Sequence, residues 1–448
     1  MITAPCKISN PILSQWRLLL GTFYIFFLLT SIRAEHLPVK IYTSADGLGS
    51  SFVDYLMRDS RGFMWFCTRD GLSRFDGARF ITYRVGEKDS PPGIESIYET
   101  REGTYLITTT GGTYRFNPNN ISSPDVVSPR LNAEFITAGR GSFFEDSRQN
   151  IWFSSNGLFR LKETDGKLVL EPYDLALPPN LKNTVIFGDS AESADGSLWM
   201  NTNVGVIRLL PDERTVFYPF ETALNSGNTA MMADKNGFIW LTRNNRLLVM
   251  KPESLETFAN AEKVTVKSIT PTGIFELKSE EKYQLPEKEG EIIQFSGHRT
   301  DSFIERSYSK KIFQTSDGNI WITADNYLMQ FADGLVHLHT DKEGLPNVMA
   351  RMAEDAAGNL WIGGYTGLAR IDRNGMITFG AADGANSSRF FAINEADDGT
   401  LYFAAHNFYL NRFDGTKLQP IRPQIPTESN FLWTSRYAFT DSNKNWWI

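Results

Sequence analysis

"DSRGFMWFCTRDGLSRFDG", residues 59–77, returns in altered form as "EDAAGNLWIGGYTGLARIDRNG", residues 354–375. Both stretches contain D-x-x-G-x-Φ-W-Φ, where Φ is apolar. The same core reads "DSRQNIWF" from 146, "SADGSLWM" from 193, "DKNGFIWL" from 234 and "TSDGNIWI" from 315. Weaker copies are "TREGTYLI" from 100, "ADDGTLYF" from 396 and "DSNKNWWI" from 441. The aromatic slot takes Trp65, Trp152, Trp199, Trp240, Trp321, Trp361 and Trp447, seven of the ten tryptophans, with Tyr105 and Tyr402 in weaker copies. Most steps are about 40–47 residues, and a fixed period of that size marks a repeat architecture.

One unit shows what the period means. "FVDYLMRD" (52–59) is followed by a turn, then "FMWFCT" (63–68), the turn "RDG", "LSRF" (72–75), the turn "DG" and "ARFITYRV" (78–85). Four short β-rich runs broken by three tight turns describe one propeller blade, whereas helix-pair repeats would show a 3.6-residue period. Phe63, Trp65 and Cys67 share one face of the second run and Met64, Phe66 and Thr68 the other. Both faces are largely apolar, as a blade packed between two neighbours requires. The chain is therefore expected to be all-β, a β-propeller of four-stranded blades.

Spacing suggests a blade count. Trp240 to Trp321 is about two ordinary steps, so a degenerate copy is expected between them, near "TPTGIFEL" (270–277) or "EKEGEIIQF" (287–295). "VKIYTSADGL" (39–48) also matches "VHLHTDKEGL" (336–345). On this count Trp361 opens an eighth unit. A first seven-bladed ring spans 37–345, closed by the strand 39–44, and residues 346–448 begin a second, truncated ring. An eight-bladed ring with a tail is the other reading.

The first 34 residues differ in kind. Lys7 and Arg17 precede the apolar run "LLLGTFYIFFLLTSI" (18–32), and Arg33-Ala34 follows. This pattern fits a secretory signal peptide cut after Ala34, and the run is shorter than the roughly 20 residues of a spanning helix. An uncleaved anchor is the alternative. Cleavage removes Cys6 and leaves Cys67 alone, so the mature fold needs no disulfide. A net charge of −7, with no basic block, argues against nucleic-acid binding. Hydrophobic content of 41% is ample for a core.

The stretches "YTSADGL", "RDSRGFMWFCTRDGLSRFDG" and "EDAAGNLWIGGYTGLARID" resemble two-component regulator propeller repeats, the exported sensor halves of bacterial signalling proteins. The resemblance covers nearly all of 39–448 and is weakest around 255–310. It implies a periplasmic or extracellular sensor tethered to the inner membrane and able to homodimerise. Its ligand would be a small molecule or an oligosaccharide. The later modules of that family, among them histidine kinase and other output domains, lie beyond these residues, and no cofactor is implied. The competing reading is a secreted propeller enzyme, a glycoside hydrolase or a streptogramin-type lyase. Its paired carboxylates would converge from separate blades.

Other motifs reduce to structure. "DSRG", "DKNG" and "SDGN" lack the alternating ligands and closing Glu of a calcium loop. "TSDGNIW" resembles an aspartate-box turn, which is structural. His337 and His339 share a strand face, but no third ligand stands at a characteristic spacing. Cys67 sits among apolar neighbours and reads as a small core hydrophobe. "GGT" (111–113) and "GGYTG" (363–367) lack the phosphate-loop lysine. Binding residues are instead expected on turns across one ring face: Arg69, Asp70, Asn156, Asn203, Asn244, Asn245, Asp325, Asn326 and Tyr365. No residue is assigned to catalysis or to a metal.

Overall fold

A computed structural model describes residues 38–447 except 87–92, 118–128, 182–183, 222–229, 244–245, 298–310, 324–326, 341–344, 347–348, 374–383, 386, 388–389, 397–399, 406–408, 414–417, 423–438 and 441–445. It is all-β, and two compact units divide the described residues, one of 38–375 and one after 375. The apolar segment 18–32 lies outside the described residues. Among the described residues, no helix is long and apolar enough to cross a membrane.

Among the described residues, seven sheets make up the larger unit. Sheet one runs Val53–Arg58, Met64–Thr68, Gly71–Phe75, Phe80–Tyr83, each strand antiparallel to the last. Sheet two leads with Ile94–Glu99, sheet three with Ser142–Glu145, sheet four with Phe187–Glu192 and sheet five with Met231–Ala233. Sheet six runs from Lys311–Gln314 to Leu335–His339. Sheet seven takes Met349–Glu354, Leu360–Gly364 and Leu368–Ile371, and its fourth strand is Val39–Tyr42 from the start of the chain. The leading strand of sheet one touches that of sheet two and also that of sheet seven.

Two expectations change here. The stretch 251–297 forms no blade of its own. Ile292–Gly297 is the fourth strand of sheet five, while Val264–Val266 and Gly273–Leu277 add parallel edge strands to sheets four and five. The tryptophan gap is thus an insertion between the third and fourth strands of sheet five, and Trp361 belongs to sheet seven. Residues 349–371 accordingly lie within the first compact unit, past the expected limit at 345. The smaller unit holds one four-stranded sheet, Phe390–Glu395 to Leu418–Ile421, and the short pair Phe439–Thr440 and Trp446–Trp447.

The repeat core builds each sheet through one oxygen. The turn residue six places before the tryptophan accepts its indole N–H: Asp59 from Trp65 at 2.8 Å, Asp234 from Trp240 at 2.8 Å and Asp355 from Trp361 at 2.8 Å. Asp146 accepts from Trp152 at 3.0 Å. Ser193 and Thr315 do the same work, each donating its own hydroxyl to the aspartate two residues on. In sheet two Tyr105 reaches across instead, donating to Asp59 at 2.6 Å. The turn carboxylates also accept backbone N–H groups, as Asp355 does from Ala357 and Asn359. Glycine fills the left-handed turn position (Gly358, φ 84°), but sheet three forces Gln149 there at φ 67°.

Apolar layers fill the space between sheets. Trp199 and Tyr218 of sheet four pack with Ile239, Leu241 and Leu248 of sheet five. Trp361 of sheet seven packs with Phe66 and Phe75 of sheet one and with Tyr42 of the strand Val39–Tyr42. Each buried tryptophan removes roughly 150–250 Å² from water, about 4–6 kcal/mol gross. An arginine on the third strand lies over several of these rings: Arg208 at 4.8 Å from Trp199, Arg160 at 4.7 Å from Trp152.

Burial pushes the Asp355 carboxyl up, but the Trp361, Asn359 and backbone donors outweigh it and hold its pKa below 3.8. A depressed carboxylate stabilises the fold above its unfolded pKa, and that contribution is lost as pH falls through the folded value. Asp355→Asn is therefore expected to cost about 2 kcal/mol at neutral pH. Its urea midpoint should also fall less than the wild type's between about pH 5 and pH 2. Equal acid sensitivity in both proteins would contradict the assignment.

Candidate functional site

The described turns between second and third strands lie at the end where the leading strands begin, as the antiparallel register dictates. Arg69 and Asp70 occupy the turn of sheet one, Asn156 that of sheet three, Asn203 that of sheet four and Tyr365 that of sheet seven. Asn244, Asn245, Asp325 and Asn326 lie outside the described residues. Asp70 and Asn156 are exposed. Asn203 is buried, and both ends of its amide are spent on the chain: it accepts from Ile186 N at 2.8 Å and donates to Thr184 O at 2.9 Å.

Two of the expected residues come together through a third. Phe52, just before the leading strand of sheet one, stacks on Tyr365 at 4.3 Å and 29°. The Arg69 guanidinium lies 3.9 Å over the other partner of that stack, the Phe52 ring. Tyr365 remains 43% exposed. Phe52 comes from the loop into the sheet, where no repeat position marks it.

A second group escaped the sequence reading. Four residues before each turn acceptor, the leading strands carry Tyr55, Ser96, Ser142, Asp189, Ala230, Lys311 and Arg351. The pairing register shifts beside this slot in sheets one, two, four and seven. Such bulges re-aim side chains. Asp189 accepts from Arg351 at 2.7 Å and from Lys311 at 3.2 Å, so sheets four, six and seven meet on one carboxylate. The Arg351 guanidinium also lies 5.3 Å over the Tyr55 ring. The three charged side chains retain 12–25% exposure, so water reaches them. A repeat alignment carries the signal: charge stands in three copies where the others place Tyr, Ser or Ala.

Burial and neighbours set the electrostatics. Burial raises the Asp189 carboxyl, but Arg351 and Lys311 outweigh it and the pKa is lowered. Burial, helped by Arg351, lowers the Lys311 ammonium below its usual range despite Asp189. Burial lowers Arg351, but Asp189 and Tyr55 reverse this and raise it. The Tyr55 hydroxyl is pushed up by burial. These groups can donate to and accept from a polar ligand; a catalytic pair is not defined.

The remaining candidates have structural roles. His337 Nδ1 lies 3.0 Å from Glu280, and His339 Nε2 lies 3.1 Å from Gln330 while its ring stacks on Trp321. Among the described residues no group of three metal-ligating side chains forms. Cys67 is buried, and burial pushes its thiol well above the usual range.

No family model matches the chain. It is 38% identical over 76 residues, 16% of its length, to histidine kinase P4 of Formosa agariphila, covering 6% of that protein. Its structure is similar to the extracellular domain of a hybrid two-component system from B. thetaiotaomicron (TM-score 0.57, 19% identity, 92% of this chain). A second B. thetaiotaomicron extracellular domain, of a one-component system, matches with TM-score 0.53 and 16% identity over 92% of this chain. The chain spans about half the length of these two structures, 52% and 51%. The likeness shows the fold, an array of four-stranded antiparallel sheets of the propeller type.

Removing one partner from a buried charge cluster costs more than removing an exposed pair. Asp189→Ala, which leaves Lys311 and Arg351 facing each other, is expected to destabilise the fold by on the order of 2–3 kcal/mol. Adding Lys311→Met should recover part of that loss in urea unfolding. Additive losses in the double variant would refute the coupling.

Proposed function

We propose that residues 38–375 close into one seven-bladed ring, and that this ring is the exported, ligand-sensing region of a bacterial two-component regulator. Closure is supported by the pairing of Val39–Tyr42 with Leu368–Ile371 and by the contact between the leading strands of sheets one and seven. A closed ring also gives the apolar faces of every sheet a neighbour and leaves only short edges. Residues 38–375 are then expected to be soluble and to unfold cooperatively, whereas 38–345 should aggregate, having lost the partner of its first strand. Gel filtration and circular dichroism of the two fragments test this. A well-behaved 38–345 fragment would refute the boundary.

The sensor reading rests on one observation. Residues that break the repeat pattern, Asp189, Lys311, Arg351 and the Phe52–Tyr365 stack, gather at one end of the sheets. The matched structures are extracellular domains of signalling systems, which agrees with an exported, membrane-tethered chain whose ligand is a small molecule or an oligosaccharide. Ligand would act by binding two conformations with different affinity, the only way it can shift a signalling equilibrium.

A sensor returns its ligand unchanged, whereas an enzyme turns it over. Calorimetry of the chain from Glu35 with oligosaccharide mixtures is expected to show saturable binding, with the sugars recovered intact by chromatography. Product formation abolished by a single Asp or Glu substitution would overturn the reading.

A further inference from the structure

Neighbouring sheets are tied at the far ends of their leading strands. An acid or amide one place before the turn acceptor accepts from the turn of the preceding sheet. Glu99 accepts from Ser60 N at 2.6 Å and Glu145 from Arg101 N at 2.9 Å. Glu192 accepts from Ser147 N at 2.8 Å, Gln314 from Lys235 N at 2.9 Å and Glu354 from Ser316 N at 2.8 Å. Two junctions have neither acid nor amide in that slot. Between sheets seven and one it is Arg58, and the apolar cluster around Trp361 and Tyr42 carries the contact. Between sheets four and five it is Ala233, and Asn201 reaches across instead, donating to Ala230 O and Thr242 O. The four–five junction is therefore polar but has no carboxylate in the slot that ties the others.

Its other end carries unmatched positive charge. In sheets one, two and four the turn between second and third strands opens on threonine and closes on glycine. Thr68 donates to Gly71 O at 2.7 Å, Thr109 to Gly112 O at 2.9 Å and Thr202 to Gly205 O at 2.6 Å. Sheet five has Arg243 and Arg246 in those two places, paired directly across the hairpin. Like charges set opposite each other on neighbouring strands repel. The Arg243 guanidinium lies 3.6 Å over the ring of Phe220, which follows the fourth strand of sheet four. Its Nη1 is buried with no hydrogen-bond partner among the described residues. Burial, then the charge of Arg246, lowers its pKa to about 10. Several other arginines of the repeat lean on an acid, Arg61 on Asp59, Arg148 on Asp146 and Arg208 on Asp195. No such acid serves here. Glu221, beside Phe220, is exposed. Asp189 of sheet four is spent on Arg351 and Lys311, and Gln294, which accepts from Arg246 at 3.4 Å, is neutral.

A buried guanidinium without a counter-charge is destabilising, and an anion brought to it relieves both that burial and the repulsion from Arg246. A carboxylate has two oxygens and is filled by one guanidinium fork, whereas a tetrahedral oxyanion has oxygens for two forks. We infer that a free tetrahedral oxyanion, phosphate or sulfate, binds at the junction of sheets four and five, held by Arg243 and Arg246 beside Phe220. The site is separate from the Asp189 cluster and does not depend on the sensor reading. The bound ion gives this junction the negative charge that Glu99, Glu145, Glu192 and Glu354 give to others.

The test is calorimetry of the chain from Glu35 with inorganic phosphate and with sulfate, at an ionic strength held constant with chloride. Saturable binding is expected, and Arg243→Met and Arg246→Gln should each weaken it by about tenfold or more. These ions also stabilise proteins generally, by exclusion from the surface, so urea unfolding is measured beside the calorimetry. The folded-to-unfolded ratio of the wild type should rise about 100-fold further than that of either variant at an ion concentration of 100 Kd. In chloride alone Arg243→Met, which drops the charge and keeps an apolar stem for Phe220, should be no less stable than the wild type. Absence of saturable binding overturns the site, as does equal stabilisation of wild type and both variants. Acetate binding more tightly than either oxyanion overturns the ligand class. An Arg243→Met protein that is less stable in chloride, or does not fold, overturns the premise of an unmatched charge.

Discussion

The hydrogen bond from a buried indole N–H to the turn oxygen six residues earlier is the interaction on which the rest depends. A tryptophan at the second strand supplies most of the area between sheets, and its N–H has to find a partner once buried. Asp59, Asp146, Asp234 and Asp355 provide it with one carboxylate oxygen and fold the turn with the other. Strand pairing, turn shape and core position are thus set by two side chains. Burial alone would raise the Asp146 and Asp355 carboxyls; the donors around them reverse that, which shows how completely their lone pairs are used.

That economy explains what the sequence reveals. Both partners of the bond lie within eight residues, so the pattern survives as a readable motif, and sheet type and strand order follow from it. The blade count does not. Spacing treats the 81 residues from Trp240 to Trp321 as two steps, because a length cannot distinguish a worn copy from an insertion between a third and a fourth strand. The turn before Ile292 resembles the others, down to the left-handed Gly290. The strand after it, Ile292–Gly297, is instead spent as the fourth strand of sheet five.

The site was legible only in part, for a reason of the same kind. Polar turn residues look alike in sequence, yet Asn203 spends its amide on the backbone while Tyr365 lies open over Phe52. The contacts that separate these fates are long-range. Asp189 meets Lys311 and Arg351 across 122 and 162 residues, and nothing local to any of the three announces the meeting. Only comparison of one slot through all copies, Tyr55, Ser96, Ser142, Asp189, Ala230, Lys311 and Arg351, exposes the charged members as departures.

A repeat scaffold poses a problem for recognition, since equivalent sheets offer equivalent surfaces and no single place for a ligand. The junction of sheets seven and one is where equivalence fails first. One of its strands comes from the opposite end of the chain, four residues long, and its register with Leu368–Ile371 is held without help from a turn. The acid that ties most other junctions is replaced there by Arg58. Contacts joined by distant segments carry the largest loop-closure cost and so are among the first to open. What holds the two sheets together there is a ring cluster, Trp361 against Tyr42, Phe66 and Phe75, so the apolar layer does at this junction what a carboxylate does elsewhere.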